Sequence, residues 1–148
     1  MQPDIKNDLT YLLRILESIE KIIIYSKGYD EVIDFYFAND QKDFNASLMF
    51  FINIGEQTSR VDNILKAKHP KVPWKVMKQF RNRVAHNYAG LDNFKVFEII
   101  KKDLPVLKIQ IEEIIQAELN DKTFLLEEFL IAKESRYYQN INFGQFKS

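Results

Sequence analysis

Leu9-Thr10-Tyr11-Leu12-Leu13-Arg14-Ile15-Leu16-Glu17-Ser18-Ile19-Glu20-Lys21-Ile22-Ile23 sets the fold class. Leu9, Leu12, Leu13, Leu16, Ile19 and Ile23 recur three or four apart, the spacing of an amphipathic helix, and Lys27-Gly28 closes it. Downstream, Tyr29 to Asn39 crowds Val32, Ile33, Phe35, Tyr36 and Phe37 behind Asp30 as a possible N-cap, and is a short helix or a helix-to-helix connection. Asp40 or Asp43 opens the next helix. It is apolar almost all round from Leu48 to Ile54, as suits the centre of a bundle, and is expected to run to about Lys66. His69-Pro70-Lys71-Val72-Pro73 is a breaker that places Pro73 first in a fourth helix, lined on one face by Val76, Met77, Phe80 and Val84. Gly90 marks that helix's end or the turn beyond it. From Asn93, Phe97, Ile100, Leu104, Leu107, Ile111 and Ile114 form a bundle seam in which Pro105 predicts a kink, or a restart capped by Asp103. Asp121 is the expected cap of one more helix carrying Phe124, Leu125, Phe129 and Leu130. Tyr137 to Ser148 has no period and reads as a tail. With no β-alternation and no internal repeat, the chain is expected to be all-α, a four- to five-helix up-and-down bundle.

The 148 residues, 46% hydrophobic, suffice for one core. The absence of cysteine excludes disulfides, thiolate metal sites and cysteine nucleophiles, and suits a reducing cytoplasm. Met1-Gln2-Pro3-Asp4-Ile5-Lys6 has no basic flank leading into an apolar run, and no stretch approaches the roughly 20 apolar residues that span a bilayer, so neither export nor a membrane partner is expected. Net charge is zero, but it is unevenly spread. No acid lies between Asp62 and Asp92, where Lys66, Lys68, Lys71, Lys75, Lys78, Arg81 and Arg83 all fall. Such a run is either a phosphate-binding surface or a solvated helix face paired with acids elsewhere.

Candidate chemistry is sparse. The only histidines, His69 and His86, have no metal-ligand spacing, and there is neither a glycine-rich phosphate loop nor a G-x-S-x-G elbow, so no metal and no cofactor is expected. Acidic pairs such as Glu112-Glu113 read as solvated surface. What remains is the end of the fourth helix, where Arg81, Arg83, His86 and Tyr88 gather. A histidine in a last helical turn also suits the macrodipole as a simple cap.

Val72-Pro73-Trp74-Lys75-Val76-Met77-Lys78-Gln79-Phe80-Arg81-Asn82-Arg83-Val84-Ala85-His86-Asn87-Tyr88 resembles the R-x4-6-H-x-Y region of the HepT family, a branch of the HEPN superfamily. Asn53-Ile54-Gly55-Glu56-Gln57 is similar to that family's Gly-Glu segment, and Ile99 to Leu107 to its following helix. Asn87 and Ala89 stand where the family often has Gly and Phe. The resemblance covers roughly residues 4 to 119, dividing the chain into a HEPN-like bundle over 1–119 and an extension, helix plus tail, over 120–148.

The resemblance implies a homodimer facing two motifs into one cleft, and a toxin that cleaves RNA without a metal, restrained by a nucleotidyltransferase antitoxin that adenylylates Tyr88. On that reading His86 supplies acid–base catalysis and Arg81 a bidentate cation for the phosphorane charge. Asn82 orients the phosphate or the imidazole, Arg83 faces phosphate or the dimer partner, and Lys71, Lys75 and Lys78 bind RNA. Glu56 either orients Arg81 or forms a purely structural ion pair. Tyr88 is either the modified group or a packing residue with one hydrogen bond. Trp74 packs or stacks on bases, and Tyr137 and Tyr138 anchor the tail or dock on a partner. Arg81 and His86, five apart, are turned by about 140° on an ideal helix, so a two-fold cleft brings the second set. A non-catalytic RNA- or nucleotide-binding module and a helical adaptor are the competing classes.

Overall fold

The structure, a computed structural model, describes residues 7–147. Met1 to Lys6, on which the expectation of no export leader rests, and Ser148 lie outside the described residues. The regular elements among the described residues are all helices: α1 (Asp8–Ser26), α2 (Val32–Phe37), α3 (Lys42–Arg60), α4 (Asn63–Lys68), α5 (Trp74–His86), α6 (Asn93–Glu98), α7 (Leu104–Asn120) and α8 (Leu126–Lys133), with short 3-10 and π turns between and after them. No helix among the described residues is long and apolar enough to cross a membrane.

Side-chain pairs give the topology. Arg14 meets Gln57, Ser18 meets Asn53 and Lys21 lies over Phe50, so α1 and α3 run antiparallel. Phe51 meets Phe80 and Asn45 meets Tyr88, which sets α5 antiparallel to α3. Lys108 pairs with Glu20, and Lys101 reaches the carbonyl of Ser26, returning α7 along α1. The result is an up-and-down four-helix bundle, with α2, α4 and α8 as short additions.

Its central helix is α1, not α3. Leu12, Ile15, Leu16, Ile19 and Ile22 are wholly buried, whereas Met49, in the stretch expected to be covered all round, is 64% exposed. The reason is position: α1 is covered by α3, α7 and the carboxyl-terminal segment, while one side of α3 faces solvent.

Several boundaries fall elsewhere than the periodicity predicts. Glu31, not Asp30, precedes α2. Asn39, Asp40 and Gln41 then take left-handed φ values of 52°, 57° and 65°, and this turn delays α3 to Lys42. α3 stops at Arg60, short of Lys66, because Val61 is extended, the Asp8 carboxylate accepts the Asp62 N–H, and the Asp62 side chain caps the separate α4 through the Ile64 N–H. Pro73 is the N-cap of α5, one residue ahead of the expected place.

The expected restart is found: α7 begins at Leu104, with Asp103 in the N-cap position and Pro105 in its first turn. α6 runs into α7 through a π-helical turn, Ile99–Asp103, which accommodates the missing Pro105 N–H, and the Asp103 side chain caps nothing. Asp121 ends α7; α8 begins after Leu125 without a side-chain cap.

The segment read as a tail is ordered to Lys147. It forms two 3-10 turns, Arg136–Tyr138 and Phe143–Gln145, and buries Ile141, Phe143 and Phe146. Phe143 and Phe146 meet Phe129 edge to face. The buried Glu17 carboxylate accepts the Asn140 N–H at 2.9 Å and its Nδ2 at 2.7 Å, and Gln116 bonds Lys147 through both amide atoms. Tyr138 is half-buried in this anchor, whereas Tyr137 is 53% exposed.

Candidate active site

The site begins with a missing side chain. Gly55 on α3 lies so close beneath α5 that a Cβ there would be 2.1 Å from Arg81 Cβ and 3.2 Å from the Met77 carbonyl. This contact, with the T-shaped Phe51–Phe80 pair at 4.9 Å, lets the Arg81 stem lie across α3. Glu56, the next residue, then accepts from Arg81 Nη2 at 3.0 Å, while Arg81 Nη1 donates to Asn82 Oδ1 at 3.1 Å. Arg81 Nε is buried without a partner. The guanidinium is therefore fixed from both ends, with donors to spare.

Along the outer side of α5, Lys75, Lys78, Asn82 and His86 follow one another at steps of three and four, so they share one stripe, and all are exposed. His86 closes the helix, with its imidazole in solvent and bonded to no described residue. No bond joins it to Arg81, which faces α3 instead. Arg83 is exposed in the same last turn, where the helix's carbonyl end favours cations.

The acid-free run divides in the fold. Lys68 is taken by the wholly buried Glu118, with Nζ 2.8 Å from both carboxylate oxygens, and by Asp121 at 3.5 Å; this holds its ammonium above the ordinary lysine range. His69 Nε2 lies 3.8 Å from the same carboxylate. Lys66 is pushed below its usual range by burial first and by the neighbouring Lys78 second. Lys71, Lys75, Lys78 and Arg83 are exposed and make no salt bridge among the described residues, so they form the uncompensated part of the run.

Two further residues take definite places. Trp74 is half-buried and donates Nε1 to the His69 carbonyl at 3.0 Å, which makes it a packing residue that fixes the breaker. Tyr88 is 55% exposed, and its phenol donates to Asn45 Oδ1 on α3 at 2.6 Å. Asn45, 43 positions away, carried no signal in the sequence.

Beside the site, α5 and α7 are separated by an apolar groove of about 420 Å³ lined by Phe51, Met77, Phe80, Leu104 and Leu107. Val76, expected to share one face with Met77, Phe80 and Val84, stands at this groove and is 60% exposed. Among the described residues, no three His, Asp or Glu side chains converge to hold a metal ion.

Residues 15–114 match the family described as Ribonuclease HepT-like. The chain is similar to "Putative RNase MJ1380" of Methanocaldococcus jannaschii, 34% identical over 104 residues, covering 69% of this chain and 91% of the relative. It is 32% identical over 104 residues to "Probable ribonuclease HepT" of Thermococcus cleftensis, covering 70% and 92%. A third relative, "Putative RNase TTE0752" of Caldanaerobacter subterraneus subsp. tengcongensis, is 33% identical over 114 residues, covering 76% and 98%. No solved structure matches significantly.

Proposed function

Because the chain belongs to the HepT-like ribonuclease family, we propose that it is an endoribonuclease, the toxin of a toxin–antitoxin pair, acting at the end of α5. The observation that carries this reading is the pairing of a fixed cation with a free imidazole: Arg81 held over Gly55 by Glu56, and His86 exposed and unpartnered five residues on. In the reaction the ribose 2′-oxygen attacks the adjacent phosphorus, its proton passes to a base, and the 5′-oxygen leaves with a proton from an acid. Imidazole performs both transfers near neutral pH. Arg81 presents its remaining N–H groups to the charge that develops on phosphorus, which needs no metal. Lys75, Lys78 and Asn82 lead the strand along the stripe to His86, with Lys71 beyond the helix start.

Arg81 and His86 face different sides of α5, so the reading includes a homodimer in which one protomer's Arg81 and its partner's His86 act on one phosphate. It also includes a nucleotidyltransferase antitoxin that transfers AMP to the exposed Tyr88 phenol, adding negative charge beside the anion site. Such a pair acts on cytoplasmic RNA. One observation favours binding without cleavage: Arg81 already carries a counter-ion in Glu56.

The experiment is RNA cleavage by the purified chain with EDTA, comparing wild type with His86→Ala and Arg81→Ala at matched melting temperature. Loss of cleavage in both variants, with EDTA harmless, is expected. Folded variants cutting at the wild-type rate would move the active site elsewhere, and RNA binding without cleavage by wild type would favour the binding module. Light scattering tests the dimer, and intact mass after co-expression with a transferase, against Tyr88→Phe, tests the modification.

A further inference from the structure

We propose that the Tyr88–Asn45 hydrogen bond is a latch that holds the end of α5 in its working position, and that esterifying the Tyr88 oxygen opens it. The proposal rests on reading the end of α5 as the catalytic site. Its observations concern how that end is held. Residues 85–90 are all exposed, so no buried side chain anchors them. Their backbone bonds are internal: Asn87 N–H to the Arg83 carbonyl, Gly90 N–H to the Asn87 carbonyl, and Leu91 N–H to the Tyr88 carbonyl. From Arg83 to Leu91, the one side-chain hydrogen bond to another element among the described residues is Tyr88 Oη to Asn45 Oδ1, at 2.6 Å. That bond ties the turn after His86 to the first turns of α3, the helix on which Glu56 holds Arg81. The buried Val84 holds α5's last turn itself, and Asn45 thus acts as a positioning residue for the turn that follows His86 and flanks its imidazole.

In the structure the phenol supplies the proton and the amide oxygen accepts it. When Tyr88 attacks the α-phosphorus of a nucleoside triphosphate, a phenol O–P bond forms, the bond to pyrophosphate breaks, and the phenol proton leaves to a base of the transferring enzyme. The oxygen facing Asn45 Oδ1 is then an acceptor facing an acceptor, which at 2.6 Å is repulsive. With Asn45 Oδ1 facing it, the latch opens wherever the added nucleotide lies, and only a half-turn of the amide that presents Nδ2 would remake the contact. Neutralisation would then displace the catalytic turn as well as fill the anion site.

Asn45→Ala, Tyr88→Phe, their double variant and Asn45→Asp test this by two readouts. The first is single-substrate RNA cleavage. The second is hydrogen exchange at the Asn87, Gly90 and Leu91 amides, which reports the latch whether or not RNA is cut. Either single loss is expected to lower kcat about tenfold with KM within about twofold, and the double variant to fall no further. The same variants should exchange these amides about tenfold faster. Asn45→Asp keeps only acceptors facing the phenol and should restore both readouts to within about threefold of wild type. Unchanged exchange in Asn45→Ala overturns the latch. Faster exchange with unchanged kcat overturns the positioning role. Wild type that cuts no RNA while Asn45→Ala speeds exchange removes the nuclease reading and leaves the latch standing.

Discussion

Gly55 and Arg81 occupy one space: a methyl on Gly55 would stand 2.1 Å from Arg81 Cβ, inside any permitted contact. An alanine here would ordinarily favour the helix by up to about 1 kcal/mol. Arg81 Cβ is fixed to α5 and cannot swing aside, so α5 itself must move, at the cost of about 1–3 kcal/mol typical of overpacking. Gly55→Ala is therefore expected to lower the urea midpoint, with its slope unchanged, and to lose RNA cleavage along with Arg81's placement. A variant as stable as wild type would contradict the close approach of α3 and α5.

Lys68 and Glu118 predict an alkaline limit to stability. The hydrogen bond to Glu118 raises the folded Lys68 ammonium above its usual range, and burial raises the Tyr138 phenol. Each group binds its proton more tightly folded than unfolded. Each contribution is thus whole below the unfolded value, about 10, and drains away as pH rises through the folded one. Lys66, shifted down by burial, works in the opposite sense. Unfolding free energy measured from pH 7 to 11 should fall at the alkaline end, and Lys68→Met should be less stable at pH 7 and decline less steeply. Parallel curves would exclude Lys68 as a source.

Local period made the core legible, and distance hid the rest. Leu9, Leu12, Leu13, Leu16 and Ile19 all proved buried, because a single helix face repeats within a short window. The end of α3 at Arg60 depends on Asp8, 54 residues from Asp62, and no window contains both. Pro105 marked the start of α7, but the π turn that joins α6 to it leaves no mark in composition. Likewise the last dozen residues bury Ile141, Phe143 and Phe146 through short turns that present one residue at a time, so they show no period. Arg81, Asn82, His86 and Tyr88 were legible as one contiguous stretch. Asn45, the partner of Tyr88, was not, and the separate facing of Arg81 and His86 could be anticipated only as an angle.

The carboxyl-terminal segment predicts its own worth. Glu17 is buried, and its carboxylate is met by two donors of Asn140. Asn140→Ala keeps the backbone N–H but removes the side-chain donor, leaving one buried oxygen short of its bond at a cost of about 1–3 kcal/mol. Urea unfolding should show that loss, and deletion of residues 134–148, which also uncovers Phe129, a larger one. A neutral Asn140→Ala would make the segment the loose tail that its sequence resembles.

The exposed lysines predict how RNA is held. Lys71, Lys75 and Lys78, like Arg83, are free of acids, whereas Lys68 is committed to Glu118, so these three lysines can release counter-ions when a phosphate arrives and Lys68 cannot. For single-stranded RNA each neutralised phosphate contributes about 0.7 to the slope of log affinity against log salt. Replacing all three with Gln should therefore lower the slope by about 2 and weaken binding similarly for every sequence, since phosphate contacts carry no base information. His86→Ala should leave the slope almost unchanged, since the role proposed for His86 is proton transfer and not the neutralisation of phosphate. Filter binding across 50–300 mM salt, about the range in which such slopes are read, measures both. A triple variant with the wild-type slope would place the RNA path off the outer stripe of α5, leaving the apolar groove beside α7 as the surface to test next.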